Sequence, residues 1–228
     1  MTEIIVVFGG SGDIGKVICQ ELVKTNYKIM ASFCNNKETY DTDIDFFYYN
    51  VYSGMNEDIF QKIYNCKVKA IIFSIGANSS KNKIDKTDIE EFKRLYMINC
   101  VSLIDIYKKL NDIILRDKTN IYILSSCASY ENKAGNGPYS ASKAYLNSIS
   151  DTIKNELKEK QIDVKKLILP RVYSKMMISI AKGKGYKTID EYIAKELNGK
   201  ILFKEEIAKS ILCDISGSCY QRSEFSWE

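Results

Sequence analysis

Ile4-Ile5-Val6-Val7-Phe8-Gly9-Gly10-Ser11-Gly12-Asp13-Ile14-Gly15 opens the chain and decides how the rest must fold. Five consecutive apolar residues with no polar alternation read as a strand covered on both faces, the habit of a central strand in a parallel sheet. Glycines follow, and then a helical pattern with Ile14, Val17, Ile18 and Leu22 on one face. Strand, glycine turn and helix together make a cradle for phosphate. The glycines let the backbone approach an anion, and the free N–H groups and dipole of the helix start favour negative charge. Gly10-x-Gly12-x-x-Gly15 fits the general dinucleotide fingerprint.

Working outward, short apolar runs alternate with helical patterns. Strands are expected at Tyr27–Phe33, Phe46–Tyr49, Ala70–Gly76, Ile121–Ser126 and Val164–Pro170, with a last one near Ser223–Trp227. Long helices are expected over Asp88–Leu110 and Tyr139–Lys160. This alternation predicts an α/β fold, a doubly wound Rossmann-type parallel sheet of about seven strands with helices on both faces. The 228 residues suit one such domain, spanning 1–228. The stretch from Ser174 to Leu202 is partly apolar (Met176, Met177, Ile178, Ile180), and Gly183-Lys184-Gly185-Tyr186 within it reads as mobile.

Composition narrows the chemistry. There is no histidine, which excludes a histidine-based triad and a histidine-ligated metal, and no metal site is expected. The net charge of +4 is spread along the chain without a dense basic run, which gives no reason to expect nucleic-acid binding and a slight lean toward acidic partners. Seven cysteines, an odd number without a Cys-x-x-Cys pair, read as reduced thiols. With no signal peptide and no apolar run near the ~20 residues that span a bilayer, a cytoplasmic protein without membrane contact is expected.

A second stretch carries reactive groups. Ser126 ends the apolar run Ile121-Tyr122-Ile123-Leu124-Ser125-Ser126, a loop with Gly135, Gly137 and Pro138 follows, and a helix opens with Tyr139-Ser140-Ala141-Ser142-Lys143. Tyr139 and Lys143 lie four residues apart and share one helix face. A phenol titrates near pH ~10 on its own. An adjacent ammonium is expected to favour the phenolate and bring it toward the working range. Ser126 is placed to hydrogen-bond a carbonyl oxygen on the same side.

Ser126 with Tyr139-x-x-x-Lys143 thirteen residues on resembles the active site of the short-chain dehydrogenase/reductases, with similarity to 3-oxoacyl-[acyl-carrier-protein] reductase-like members. The resemblance extends over essentially the whole chain. It implies an NAD(P)(H)-dependent oxidoreductase that interconverts a ketone and a secondary alcohol. Tyr139 would act as general acid and base, Ser126 would orient the carbonyl, and Lys143 would adjust the tyrosine and hold the nicotinamide ribose. Asn99 matches the family's helix asparagine and would hold a relay water, with a bond to nearby backbone as the other reading.

The family's glycine pattern starts at Gly9. Asp13 stands where the middle glycine is usual, and the implied cofactor contacts are Gly9, Ser11, Asp13, Ile14 and Gly15. Phe8 stands where threonine is usual. Phe33 occupies the position of the acidic residue that binds the adenine ribose hydroxyls. With Cys34-Asn35-Asn36-Lys37 after it, this favours NADP(H), NAD(H) being the other option. Asn50 and Val51 would lie beside the adenine, Asn50 reading equally as a strand-end turn residue. Ser74 and Gly76 stand in for the family's Asn-Asn-Ala-Gly segment. Pro170 and the backbone N–H near Tyr173 would meet the carboxamide. Arg171 replaces the glycine of the usual Pro-Gly, and its reading stays open among an anionic substrate, a cofactor phosphate and solvent.

For partners, the resemblance implies a small carbonyl or alcohol substrate, with a carrier-bound 3-oxoacyl thioester, a keto-sugar and other small ketones all compatible. It also implies a homodimer or homotetramer through the long helices. A cofactor-binding sensor or scaffold of the same fold is the alternative, disfavoured because Ser126, Tyr139 and Lys143 are all kept. The region after Pro170 is too short for the substrate region of an extended-family sugar-nucleotide epimerase.

Overall fold

In the computed structural model the described residues are 1–35 and 43–218. Six strands form one parallel sheet: β1 (Glu3–Phe8), β2 (Lys28–Phe33), β3 (Ile44–Tyr48), β4 (Lys67–Phe73), β5 (Asn120–Ser126) and β6 (Val164–Leu169). Their order is β3-β2-β1-β4-β5-β6 and every pairing is parallel. The expected seventh strand, near 223–227, lies outside the described residues, as do Asn36 and Lys37.

The uninterrupted apolar run of β1 has a direct structural cause. Successive side chains leave a strand on opposite faces. Ile4, Val6 and Phe8 enter the core on one side of the sheet, and Ile5 and Val7 the core on the other. All five are completely buried, so any polar residue among them would lose its hydration without a partner. One face is covered by α1 (Asp13–Leu22) through Ile18, Cys19 and Leu22, and by α9 (Lys204–Ser216) through Ile207, Ala208 and Ile211. The other is covered by α2 (Glu57–Tyr64) through Ile63, by α4 (Ser102–Asp117) through Leu103, Ile106 and Leu110, and by α6 (Gly137–Lys158) through Leu146, Ile153 and Leu157. The sheet is therefore doubly wound.

Several boundaries moved for local reasons. The long helix expected over 88–110 runs as α3 (Ile89–Tyr96), a π-helical turn (Met97–Val101) and α4. It stops at Lys118, which adopts left-handed geometry (φ 54°). Helix α6 starts two residues before Tyr139 because Pro138, with no N–H to lose, suits the first turn. A short helix, α5 (Ala128–Glu131), stands where the sequence suggested only loop. Past β6, the chain forms α7 (Lys175–Gly183) and α8 (Ile189–Glu196) around a small core of Met177, Ala181 and Tyr192. At the glycine turn, Lys184 and Tyr186 both donate to Glu196, at 2.9 and 2.8 Å. Among the described residues no helix is long and apolar enough to cross a membrane.

Candidate active site

Strand order reverses between β1 and β4, and in open α/β sheets the crevice outside the strand ends at such a point is where ligands sit. Gly9 leaves β1 with φ +84°, a conformation that L side chains rarely adopt. A Cβ there would stand 2.8 Å from the Ser74 carbonyl at the end of β4. Gly15 in the first turn of α1 is held closer still: a Cβ would lie 2.2 Å from the Gly9 oxygen. Strand, turn and helix thus fold onto one another so tightly that only hydrogen fits. The Gly9 N–H donates to the Ser32 hydroxyl at 2.8 Å and the Ser11 N–H to the Ser32 carbonyl at 3.2 Å, fixing the turn against β2. Ile14 packs on the core beneath. This is a cradle shaped for a phosphate-bearing group, and a dinucleotide fits it.

Asp13, standing where a glycine is usual, faces two donors. Its carboxylate accepts from the Lys175 N–H at the start of α7 and from Lys204 Nζ, each at 2.7 Å. Burial pushes its pKa up, but these two partners outweigh that and hold it below the ordinary carboxylate value. The cradle is thereby joined to the segment that follows β6.

The remaining predicted cofactor positions divide. Phe33 ends β2 and packs edge-on against Tyr48, ring centroids 5.8 Å apart, so no carboxylate stands there. Asn35 is exposed at the edge of the described residues. Asn50 takes the turn reading: its amide donates to the Tyr48 hydroxyl (3.2 Å) and its oxygen accepts from the Tyr52 N–H (2.9 Å), with Val51 half-buried in the same turn. Pro170 is half-buried just past β6. Tyr173 corrects an expectation, because its backbone N–H is already bonded to the Leu202 carbonyl at 2.8 Å. The parallel bridge between Val172 and Leu202 uses that donor, and the Tyr173 ring stacks on Phe203.

The catalytic positions converge. Ser126 ends β5, where its hydroxyl accepts from the Ala128 N–H at 3.2 Å, and it stands near enough to the Tyr139 phenol, at the start of α6, to lower the phenol's pKa. Lys143, one helical turn on, is buried, and its ammonium donates to the Leu124 carbonyl of β5 at 3.2 Å. A Cβ on Gly76 would lie 3.7 Å from that ammonium and 3.9 Å from the Asn99 side-chain oxygen, which places Gly76, Lys143 and Asn99 around one small space. Asn99 is completely buried within the π-helical turn. Its oxygen accepts from the Ala77 N–H at 2.7 Å, and its amide donates to the Ala77 carbonyl (3.0 Å) and the Ser142 hydroxyl (2.8 Å). Asn99 thus ties the loop after β4 to α6. A π turn widens the helix locally and recurs at functional sites.

The electrostatics also differ from expectation. The Lys143 ammonium is pushed down to about 8 by burial. The Tyr139 phenol is pushed up, chiefly by its own burial; the Ser126 hydrogen bond and the Arg171 guanidinium pull the other way, and the Cys127 thiol opposes them. Arg171 favours the phenolate, and Lys143 Nζ is directed to the strand carbonyl of Leu124.

Arg171 follows Pro170 just past β6. It donates to Cys127 Sγ at 3.0 Å and pairs with Glu131 of α5. Lys81 reaches over the Tyr139 ring, 5.8 Å from its centroid, held by the side-chain oxygens of Asn78 (3.2 Å) and Asn136 (2.6 Å). Lys81, Cys127 and Glu131 were not singled out from the sequence. Cys127 follows Ser126 directly, but nothing in the spacing brings residues 81 and 131 to the tyrosine.

Comparison with known proteins agrees with this architecture. The model of the short chain dehydrogenase family matches residues 3–185. An uncharacterised oxidoreductase of Saccharomyces cerevisiae is 24% identical over 210 residues, covering 87% of this chain and 82% of its own. An NADPH-dependent 1-acyldihydroxyacetone phosphate reductase of Schizosaccharomyces pombe is 30% identical over 116 residues, 51% of this chain and 39% of its own. Among solved structures, NADP-bound ElxO superposes with a TM-score of 0.81 at 16% identity, covering 92% of this chain and 90% of that one. A sheet wound in this order, with this cradle beside a Ser-Tyr-Lys cluster, defines a nicotinamide-dinucleotide oxidoreductase. The chain belongs to the short-chain dehydrogenase/reductase family.

Proposed function

We propose that the protein interconverts a ketone and a secondary alcohol, with Tyr139 as proton donor and acceptor and NADP(H) as the favoured cofactor. The observation that carries this reading is the placement of Ser126 at the end of β5 and Tyr139 at the start of α6, with Lys143 buried one helical turn on and bonded to the β5 carbonyl of Leu124. Bound in the glycine cradle, the nicotinamide cofactor supplies or accepts the hydride. Ser126 orients the carbonyl oxygen, and the Tyr139 O–H gives its proton to that oxygen as it gains negative charge. Lys143, pushed down to about 8, exchanges its proton near neutral pH and stands ready to make good the proton spent. Asn99 holds the loop and helix that frame this step.

NADP(H) is favoured because Phe33 leaves the end of β2 without a carboxylate to repel a 2′-phosphate, and the fission-yeast relative is described as NADPH-dependent. The substrate is a small carbonyl compound, with 3-oxoacyl thioesters and keto-sugars both within the proposal. A cytoplasmic location and a homodimeric or homotetrameric assembly belong to the same reading.

Tyr139→Phe tests it. Turnover with NADPH should fall by at least ~10²-fold, the usual worth of a positioned acid, while NADPH affinity stays within a few-fold. Unimpaired turnover would sink the assignment. Thermal unfolding with NADPH or NADH at matched concentration reads the cofactor preference, since a ligand at ~100 times its Kd stabilises by about 2.7 kcal/mol. A larger shift with NADH would overturn the NADP(H) choice.

A further inference from the structure

Two cations reach the neighbourhood of Tyr139 from opposite segments. Lys81, from the loop after β4, lies over the ring at 5.8 Å from its centroid, and Arg171, from the turn after β6, bonds Cys127 Sγ at 3.0 Å, the residue next to Ser126. They lie close enough that Arg171 helps to depress the Lys81 ammonium, after burial, with Glu91 acting the other way. Among the described residues no carboxylate pairs with Lys81, whose hydrogen-bond partners are neutral asparagines. Carboxylates do stand nearby. Glu131 pairs with Arg171 and is shared with Lys133 at 3.4 Å, while Glu91 accepts from Ser80 and faces Arg94 at 3.8 Å. Lys81, Lys133, Arg171 and Arg94 thus face two carboxylates. On the same loop the buried Ser79 hydroxyl has no hydrogen-bond partner among the described residues.

Holding like charges together in a half-buried place costs free energy, and an arriving anion recovers it. The reaction itself does not call for a second cation, since Ser126 and Tyr139 already address the carbonyl oxygen. We propose that Lys81 and Arg171 form an anion subsite, so that the substrate is a carbonyl compound bearing a phosphate or carboxylate. Lys81 supplies the ammonium that no carboxylate neutralises. Arg171, anchored by Glu131 and Cys127, sets the position of the charge. This specificity rests on the proposed carbonyl chemistry for its meaning, but not for its test.

The test is equilibrium binding, read by calorimetry on the NADPH-loaded protein so that the cofactor's own phosphate cradle is filled, and repeated without NADPH. Four probes are titrated: inorganic phosphate, dihydroxyacetone phosphate, acetoacetate and neutral dihydroxyacetone. At least one anionic probe should bind more tightly than dihydroxyacetone, and Lys81→Met should weaken it by about tenfold, the loss of one charge-assisted contact. Arg171→Gln should do the same, while NADPH binding stays within a few-fold in both variants. Raising the salt concentration should weaken the anions and spare the neutral probe. A phosphate preference over acetoacetate, or the reverse, identifies the anion. Anions that bind no tighter than dihydroxyacetone, or that ignore both substitutions, overturn the subsite. Because turnover is not the readout, failure here is distinct from failure of the Tyr139 assignment.

Discussion

Lys143→Met separates what the lysine does for the site from what it does to the fold. Its ammonium is buried, and burial pushes its pKa from the ordinary 10.5 down to about 8. The unfolded chain keeps that proton up to about pH 10.5, so between about pH 8 and 10.5 the folded state binds fewer protons, and stability rises with pH there. Below about pH 8 both states are protonated, and the folded state carries the full penalty. Each pKa unit is worth about 1.4 kcal/mol, which makes the penalty at pH 7 roughly 3 kcal/mol. Against this stands the hydrogen bond to the Leu124 carbonyl at 3.2 Å. Losing this bond from a charged donor costs about 1.5–3 kcal/mol. Methionine fills a similar volume without charge and adapts its shape. The desolvation penalty is the larger, and the variant should be more stable than its parent by up to about 1.5 kcal/mol at pH 7. By about pH 10.5 that gain should vanish or reverse, because the neutral amine keeps its hydrogen bond. Turnover should be lost throughout. Urea unfolding of both proteins at about pH 6.5, 8 and 10 measures the difference. A variant less stable than its parent at pH 7, or a difference that does not change with pH, refutes the reasoning.

Other substitutions probe the cradle. Gly15→Ala drives a Cβ to 2.2 Å from the Gly9 oxygen and should cost about 1–3 kcal/mol while abolishing the stabilisation by NADPH. Gly183→Ala, where nothing lies within 4 Å, should instead be neutral or stabilise by up to about 1 kcal/mol in the same unfolding assay. Asp13→Asn removes the charge that pairs with Lys204 and should cost about 1–2 kcal/mol at pH 7. Because the carboxyl is held below its ordinary value, that stability is present at neutral pH and disappears as pH falls through the folded pKa, below which the two proteins should converge.

The local parts of this protein were legible in its sequence. The run Ile4–Phe8 could only be a strand buried on both faces, and Gly9 and Gly15 could only mark a turn where backbone meets backbone, because these demands act over a few residues. The four-residue spacing of Tyr139 and Lys143 likewise fixed them on one helix face. What lay beyond the sequence depended on groups distant in the chain. Tyr173 was expected to offer its N–H, but the pairing of Val172 with Leu202 had already taken it. Asn50 was drawn into its own turn by Tyr48 and Tyr52, and Lys143 was directed to a strand carbonyl. The approach of Lys81 to Tyr139 and the pairing of Arg171 with Glu131 join segments about 40 to 60 positions apart. Sequence patterning sets which face a residue occupies; the parallel order of the strands, which brings the ends of β1, β4, β5 and β6 to one edge, alone decides which charges gather there.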